Sequence, residues 1–207
     1  MKSVWVYAPA PQFLSWFDAL APSLAEAGIE HKLLPTEDLQ GGVYGLRRSL
    51  TTAASDSEGG VLCVTEASDP LLSDINRACR AASMPLLLVA PSGDSLQVGP
   101  GVVFGTSPCL ACFENHNKFL RLDNKAASAS AAEAGLAAST PRADGFMLRE
   151  VVGFLSGSPA GMLRRGYVFS GGAEGGEALR YRVLKNPTCM VCSVFAEHPT
   201  ESMRVET

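Results

Sequence analysis

The chain has 207 residues, of which 46% are hydrophobic and 18% charged, and its formal net charge is −4. This composition is that of a globular protein large enough to bury a substantial core. Because the acidic balance offers no basic face to a phosphate backbone, it disfavours nucleic-acid binding. The N-terminus contains Pro9 and Pro11 and lacks the apolar run of a signal peptide, and no segment is long enough to span a bilayer. We therefore expect a cytoplasmic protein without membrane contact.

The first ninety residues alternate between short apolar runs and segments of helical periodicity. Strands are predicted at residues 4–8, 31–34, 60–65 and 85–90, and helices at residues 13–27, 45–54 and 71–82. This alternation predicts an α/β fold with a Rossmann-like parallel sheet covered by helices. The parallel sheet is expected to end near Ala90, because residues 96–104 form only short β segments around Gly99, Pro100 and Gly101.

The second half of the chain is predicted to carry a smaller lobe. Residues 118–125 are charged and favour a helix, whereas residues 126–140 are so rich in Ala and Ser that helix and flexible linker compete, and we favour the linker. A helix at residues 146–155 and strands at 167–170 and 178–184, joined by a glycine-rich turn at 171–176, predict a β-hairpin lobe. The predicted organisation is a Rossmann-like domain at residues 1–125, a linker at 126–145 and a helix plus hairpin at 146–207.

Two Cys-x-x-Cys pairs are the most specific motif in the chain. Cys109 and Cys112 follow the turn signal Ser107-Pro108, Cys189 and Cys192 follow Asn186-Pro187, and the pairs are 189 − 112 = 77 positions apart. We call residues 107–112 the first knuckle and residues 186–192 the second. A two-residue spacer lets one turn aim both sulfurs at one ion, and Zn²⁺ takes four thiolates in a tetrahedron. The sequence predicts a zinc clamp of Cys109, Cys112, Cys189 and Cys192, with each knuckle supplying half of the site.

The predicted zinc has a structural role, because four thiolates leave no open position for a reacting water. Zinc would also tie the C-terminal hairpin to the sheet across the Ala/Ser-rich linker. The alternative is a pair of local disulfides or thioredoxin-like redox motifs. It is disfavoured because cytoplasmic thiols stay reduced and neither pair has the strand-then-helix aromatic setting of a redox site.

The remaining cysteines and the histidines are interpreted as structural residues. Cys63 lies in an apolar strand and Cys79 in a helical pattern, so both are predicted to be small buried hydrophobic residues. His116 follows Cys112 by four positions, but we expect it at the surface or beside the ligands rather than among them. His31 and His198 have no ligand spacing to the knuckles.

Four polar residues lie where chemistry is often found, and each also has a structural interpretation. The hydroxyls of Ser107 and Thr188, beside the two knuckles, are expected to support the thiolates. Glu66 and Asp69 follow a predicted strand, at the position where α/β sheets bind ligands. Because Asp69-Pro70 precedes a predicted helix, we interpret Asp69 as a helix cap.

The first strand-to-helix turn lacks the glycines of a nucleotide-binding protein. It is Ala8-Pro9-Ala10-Pro11-Gln12, in which two prolines remove N–H donors that a phosphate would need. Gly41-Gly42 has no following Lys-Ser/Thr pair, and the glycines of residues 171–176 belong to the predicted hairpin. The sequence therefore predicts no catalytic and no cofactor-binding residue, and it disfavours ATP binding.

Between Val61 and Ser193 the chain resembles the ThiF/MoeB-like (ubiquitin-activating-enzyme-like) family. Within that family it is most similar to the partner proteins of YcaO cyclodehydratases, which act in making azole-containing ribosomal peptides. The resemblance includes an apolar strand with acidic residues after it, Val61 to Asp69, the helix Leu71-Leu72-Ser73-Asp74-Ile75-Asn76-Arg77-Ala78, a strand ending near Val89, Val98-Gly99-Pro100-Gly101-Val102-Val103, Ser107-Pro108-Cys109-Leu110-Ala111-Cys112-Phe113-Glu114, a helix ending Leu155-Ser156-Gly157, and Val183-Leu184-Lys185-Asn186-Pro187-Thr188-Cys189-Met190-Val191-Cys192. Its specific part is the two knuckles with their flanking residues.

The resemblance implies a structural zinc on the four cysteines, a homodimer, and a peptide-modifying YcaO-type enzyme and precursor peptide as partners. Many such partner proteins carry an N-terminal winged-helix element that binds the leader peptide. Because this sequence begins with the α/β unit, we expect that element to be missing, which argues against leader binding of the usual kind. The function implied is a non-catalytic scaffold for a modification enzyme, and the alternative is an active ATP-dependent adenylyltransferase with an atypical phosphate loop.

Overall fold

Strands and helices alternate in the N-terminal part of the chain as the hydrophobic pattern predicts. The computed structural model describes residues 2–34, 44–46, 48–50, 52, 59–92, 95–115, 141–157, 165–170 and 178–193. The first elements are β1 (Lys2–Tyr7), α1 (Pro11–Glu26), β2 (Ile29–Leu33), β3 (Val61–Val64), α2 (Leu71–Ala81) and β4 (Leu86–Ser92). Pro11 suits the first turn of α1, where its missing N–H would be unpaired in any residue, and Gly28 (φ 71°) follows the end of that helix.

The remaining elements differ from the prediction mainly in their bounds. They are β5 (Ser95–Val102), α3 (Pro141–Leu155), β6 (Arg165–Ser170) and β7 (Ala178–Arg182). The helix α3 begins at Pro141, inside the range predicted as linker, because proline is favoured at the start of a helix. None of the helices in the described ranges combines the length and apolar character needed to cross a membrane.

Several predictions fall outside the described residues. These are His116, His198, Gly41-Gly42, the helix at 118–125, the Ala/Ser-rich segment at 126–140 and the glycine-rich turn at 171–176. The division of the chain into domains stays a prediction.

The seven strands form one mixed sheet in the order β2-β1-β3-β4-β5-β6-β7. β1 is parallel to both β2 and β3, and β3 is parallel to β4. From β4 onward each neighbouring pair is antiparallel. The parallel part therefore ends at β4, and the mixed α/β class agrees with the sequence.

The C-terminal hairpin is placed differently from the prediction. β6 pairs with β5 over the register Ser95↔Ser170 to Val98↔Tyr167, so the hairpin extends the main sheet instead of forming a separate lobe. With this placement β5 has a neighbouring strand on each edge, β4 and β6, and the apolar side chain of Val98 on β5 is fully buried. Strand pairing across so many residues leaves no local mark in the sequence.

The two faces of the sheet bury separate apolar clusters. On one face α1 and α3 cover residues that include Val6, Leu62 and Val89. On the other face α2 covers Cys63 and Leu88, and this second cluster contains all four knuckle cysteines. Alternate residues of each strand thus serve opposite faces, as a fully covered sheet requires.

The prediction for the two unpaired cysteines is confirmed. Cys63 on β3 and Cys79 on α2 are both fully buried in the cluster on the α2 face. Burial raises the pKa of both thiols, because a thiolate would lose its hydration there. Both therefore remain neutral, unreactive core residues.

Candidate metal centre

The first knuckle is held by a tight turn after β5. Ser107 accepts the Val103 N–H at 2.8 Å through its hydroxyl, and its own N–H donates to the Val103 carbonyl oxygen at 2.9 Å. Gly105, with φ of 86°, supplies the left-handed position within this turn. Residues 110–115 are helical, beginning one residue after Cys109. The turn therefore fixes where the chain leaves the sheet and the helix fixes the direction of Cys112.

The second knuckle follows β7 and is shaped by Asn186. The Asn186 side-chain oxygen accepts both the N–H and the hydroxyl of Thr188 at 3.0 Å each, and the Asn186 carbonyl accepts the Cys189 N–H at 3.1 Å. This is an Asx turn, which bends the chain immediately before the metal ligands. The turn signal read from Asn186-Pro187 is confirmed.

The structure brings the sulfurs of all four predicted cysteines together. They lie within 4.8 Å of one another, with Cys109 Sγ 3.7 Å from Cys189 Sγ and Cys112 Sγ 3.4 Å from Cys192 Sγ. These separations are too long for disulfide bonds, which are about 2.0 Å. A tetrahedron with metal–sulfur bonds of about 2.3 Å has edges of about 3.8 Å, close to the observed contacts. The cluster has the size and donor set to hold a tetrahedral metal ion.

Backbone N–H groups donate to the sulfurs from within and across the knuckles. The Asn186 N–H lies 3.3 Å from Cys112 Sγ, and the Val191 N–H lies 3.4 Å from Cys189 Sγ. The first of these contacts joins the second knuckle to a ligand of the first. Such donors stabilise thiolates without adding charge, as a closed metal–thiolate shell needs.

The four sulfurs do not ionise independently. Hydrogen bonds from the thiols of Cys109 and Cys192 lower the pKa of Cys112, and the Asn186 N–H adds to this effect. Hydrogen bonding to Cys112 and Cys192, together with burial, raises the pKa of Cys109. Charges this close repel, so full deprotonation requires a cation at the centre of the cluster, and metal binding releases protons.

The two hydroxyls expected to support the thiolates have other roles. Ser107 bonds to the backbone of Val103 and Pro108, and Thr188 bonds to Asn186, so each hydroxyl shapes its loop. The prediction of direct support was wrong because a short side chain beside a turn reaches the local backbone first. Among the described residues, the donors to sulfur other than thiols are backbone N–H groups.

Asn76 on α2 is a residue of the site that sequence reasoning missed. Its side-chain oxygen accepts the Leu110 N–H at 3.3 Å, which ties α2 to the first knuckle. The side chain is 1% exposed, and its amide nitrogen has no hydrogen-bond partner among the described residues. The available signal was an amide on the buried face of an amphipathic helix, beside Leu72, Ile75 and Cys79.

Replacing Asn76 by alanine should lower the free energy of unfolding by about 1–2 kcal/mol, because the Leu110 N–H would be left buried without an acceptor. Urea denaturation of the zinc-loaded protein measures this difference. Asn115→Ala is the matched control, since Asn115 is exposed at the end of the helical residues 110–115, which begin with Leu110. Equal midpoints for the two variants would contradict the role of Asn76.

Tyr181 on β7 connects the hairpin to the first knuckle. Its ring stacks on that of Phe113, with centroids 5.8 Å apart and planes inclined by 27°. Its hydroxyl donates to the Gly99 carbonyl oxygen at 3.2 Å. Gly166, the cross-strand neighbour of Tyr181, lies under the ring, where any Cβ atom would clash with it. The glycine therefore makes room for an aromatic side chain that spans three strands.

A second polar group lies at the carboxyl ends of β1 and β3. One Asp69 oxygen accepts the hydroxyls of Tyr7 at 2.9 Å and Thr65 at 2.6 Å, and the other accepts the Leu71 N–H at 2.9 Å. Asp69 thus caps α2, as the sequence predicts, and also anchors two strands. Its carboxylate oxygens are occupied by these three donors, whereas Glu66 is exposed.

The turn between β1 and α1 provides few donors for a phosphate. Pro9 and Pro11 have no N–H, and the N–H groups of Phe13 and Leu14 donate to the Ala10 carbonyl oxygen at 2.9 and 3.2 Å. No side chain caps the helix. The positive end of α1 is therefore largely closed to an anion.

Stability should fall as the pH rises above about 9, because neutral ionisable groups are buried on β1, β3 and α2. Burial, followed by the hydrogen bond to Asp69, raises the pKa of Tyr7 above its ordinary 10.0, and burial raises the pKa of Cys63 and Cys79 above 9.0. The unfolded chain releases these protons first, so stability is complete below those ordinary values and declines above them, by about 1.4 kcal/mol per pH unit for each group.

Urea midpoints of the zinc-saturated protein between about pH 8 and 11 test this decline. The Tyr7→Phe variant should show a shallower slope above pH 10.0, where the phenol of the unfolded wild-type chain ionises. A midpoint independent of pH over this range, or identical slopes for both proteins, would contradict the prediction.

Comparisons with known proteins identify the fold. No protein-family profile matches the sequence. No curated protein matches it either. Among solved structures, the chain is similar to a heterocyclase in complex with substrate and cofactor, with 14% identity and a TM-score of 0.57 over 93% of this chain and 25% of that one.

Two further structures share this fold. The heterocyclase TruD has 20% identity and a TM-score of 0.55 over 93% of this chain and 27% of its own. E. coli MccB with AMPCPP and MccA has 18% identity and a TM-score of 0.51 over 80% of this chain and 45% of its own. The chain thus has a heterocyclase-like fold and spans about a quarter of the length of the heterocyclases it matches.

Proposed function

We propose that the chain is a zinc-binding, non-catalytic accessory protein of the ThiF/MoeB-like kind. It acts in the biosynthesis of a ribosomally made, post-translationally modified peptide of the azoline or thiopeptide type. There it recruits or positions the precursor peptide or the modifying enzyme, a YcaO cyclodehydratase or a relative. The observation that carries the proposal is a closed cluster of four thiols in a sheet whose first strand-to-helix turn has no phosphate cradle.

The chemistry of the donor set supports zinc as the bound metal. Four thiolates in a buried tetrahedral arrangement are the ligand set of structural zinc sites. The metal would join the loop after β5 to the loop after β7, and so tie the end of the hairpin to the first knuckle, which Asn76 joins to α2. Its role is therefore to keep the sheet in one shape, and metal analysis should give one zinc per chain.

The fold supports the biosynthetic setting. The similar structures include heterocyclases, one of them with substrate and cofactor, and MccB with AMPCPP and MccA. At these identities the likeness concerns the fold, so the partner enzyme and peptide are proposals for this chain. A fold of this kind whose first strand-to-helix turn offers no phosphate cradle suits a subunit that presents a surface to another enzyme.

The competing function is an ATP-dependent adenylyltransferase with an atypical phosphate loop. The feature in its favour is the polar group of Tyr7, Thr65 and Asp69, at the sheet edge where α/β proteins bind ligands. Those side chains already satisfy one another, and Asp69 also caps α2. The accessory role therefore accounts for the observations with fewer assumptions.

The two functions separate in a reconstituted reaction. The chain should co-purify with its YcaO-type enzyme or the precursor peptide and raise the modification rate, while calorimetry with ATP and magnesium should give no binding heat. Loss of the rate effect in Cys189→Ser, with the effect retained in the control Met190→Ser, would tie the effect to the intact fold. Measurable ATP–pyrophosphate exchange by the chain alone would establish the adenylyltransferase, and failure to associate or to change the rate would refute the accessory role.

A further inference from the structure

The outer edge of β2 is the end of the sheet opposite the metal centre. β2 pairs with β1, and no strand in the described ranges pairs with its other side. The Leu34 N–H, next after β2, donates to the Val6 carbonyl oxygen. Backbone groups of successive residues point to alternate edges of a strand, so those of Ile29, His31 and Leu33 point outward. The edge therefore presents the backbone groups of three residues to a further strand.

Among the described residues, the surroundings of this edge leave room for another strand. A shallow groove of about 480 Å³ follows β2, lined by Ala25, Gly28, Ile29, Glu30, His31 and Lys32. Leu33 is 52% exposed, which is unusual for a large apolar side chain in a strand of this sheet. Of the five residues of β2, only Ile29 is buried.

The sequence of β2 is complementary to itself in the antiparallel direction. Read along the strand, Ile29–Leu33 is apolar, acidic, histidine, basic and apolar. In an antiparallel pair centred on His31, Glu30 would face Lys32 of the partner subunit, and Ile29 would face Leu33 of the partner subunit. Opposite charges facing each other across antiparallel strands stabilise the pair, and like charges destabilise it.

Hydrogen bonding and charge select the same register. Centred on His31, the pairs that exchange backbone hydrogen bonds are at positions 29, 31 and 33, the residues that point outward. Glu30 and Lys32 then form the pairs without backbone bonds, in which Cα atoms come within about 4.5 Å and side chains are closest. Registers centred on Glu30 or on Lys32 would oppose like charges.

The other end of the sheet is built differently. Charged residues usually protect an exposed strand edge from pairing, and β7 follows this rule with Arg180 and Arg182, both exposed and both basic. Antiparallel copies of β7 would oppose positive charges. In β2 the two charges have opposite sign and lie symmetrically about His31, so the same protection does not operate.

The side chain at the symmetry centre and one of its neighbours already make ring contacts within their own chain. The His31 ring packs edge-on against Phe17, with centroids 4.9 Å apart, on the α1 face of the sheet. The Lys32 ammonium lies 5.8 Å from the centroid of the Trp5 ring. Ordering these side chains in advance reduces the entropy lost when a second strand docks.

We propose that the outer edge of β2 pairs with β2 of a second copy of this chain, antiparallel and centred on His31. The two seven-stranded sheets would become one continuous sheet through a closed twofold interface. The surface lies at the far end of the sheet from the knuckles, so the proposal does not rest on the accessory function or on zinc. The partner is a second copy of this chain because, in the antiparallel arrangement, the acidic residue of each strand faces the basic residue of the other.

Sedimentation equilibrium of the full chain with exchanged charges tests the proposal. The wild type should have close to twice the 21.8 kDa mass of one chain. Glu30→Lys and Lys32→Glu should each raise the dimer dissociation constant by about tenfold or more, since each places two like-charge pairs in the interface. The double variant Glu30→Lys/Lys32→Glu restores opposite charges and should return the constant to within about threefold of wild type.

The controls are Glu66→Lys and Lys185→Glu, which make the same charge changes at exposed positions outside β2 and should leave the constant unchanged. Circular dichroism of each variant establishes that it folds. Hydrogen exchange in the wild type should show the amides of Ile29, His31 and Leu33 protected in the dimer and unprotected on dilution to monomer. The proposal would be overturned if the wild type stays monomeric, or if the double variant dimerises no more tightly than the single variants. It would also be overturned if an added peptide protects the β2 amides while the chain remains monomeric.

Discussion

Cys189→Ser should lose its bound zinc and lower the free energy of unfolding by about 3 kcal/mol or more, because the metal-binding free energy of a structural site is also folding free energy. A serine hydroxyl is a poor zinc ligand, and three thiolates would leave the shell open. Zinc content by metal analysis and stability by urea denaturation should fall together. Cys109→Ser, on the other knuckle, should behave in the same way because each knuckle supplies half of the cluster.

Met190→Ser is the matched control for the loop. Met190 lies between the two cysteines of the second knuckle and is 81% exposed, so its replacement should change neither zinc content nor stability. Removing the metal from the wild type with a chelator should reproduce the loss of stability in Cys189→Ser. A cysteine variant that keeps the wild-type stability without zinc would show that the cluster does not hold the fold together.

Tyr181→Ala should lower the free energy of unfolding by about 2–3 kcal/mol, somewhat less than the usual cost of removing a fully buried aromatic ring, because Tyr181 is partly buried. The substitution leaves a cavity above Gly166 and removes the stacking partner of Phe113, which is the residue directly after Cys112. Zinc affinity should therefore also fall, although Tyr181 is not a ligand. Competition with a coloured zinc chelator measures the affinity, and urea denaturation measures the stability.

Two further variants separate the contributions of Tyr181. Tyr181→Phe keeps the ring and loses only the bond to the Gly99 carbonyl, so it should cost about 1 kcal/mol and leave zinc affinity unchanged. Tyr44→Ala removes a tyrosine that is 85% exposed and should have little effect. If Tyr181→Ala resembled Tyr44→Ala, the proposed coupling between hairpin and knuckle would be wrong.

The sequence predicted those parts of the fold that short-range pattern determines. Hydrophobic periodicity located β1, α1, α2 and β4 within a few residues, and the Cys-x-x-Cys spacing identified all four members of the cluster. The buried state of Cys63 and Cys79 followed from the apolar residues around them. Asp69 was identified as a helix cap from the proline after it, and its bond to the Leu71 N–H agrees.

What the sequence did not predict depends on contacts between distant residues. The pairing of β5 with β6 joins segments about seventy positions apart, so the hairpin was expected to form a separate lobe. Asn76 meets Leu110 only because α2 packs beside the first knuckle, and the bond of Tyr181 to Gly99 requires three aligned strands. The hydroxyls of Ser107 and Thr188 were assigned to sulfur because distance along the chain does not give direction in space.

The separation of the two knuckles also determines the order in which the metal site appears during synthesis. Cys112 leaves the ribosome 189 − 112 = 77 residues before Cys189. At about 5–20 residues per second, the first knuckle waits roughly 4–15 s with two thiols exposed and no partner. We expect it to be vulnerable to oxidation or to capture of a wrong metal during that interval, so the supply of zinc and reductant during translation should govern how much of the chain matures correctly.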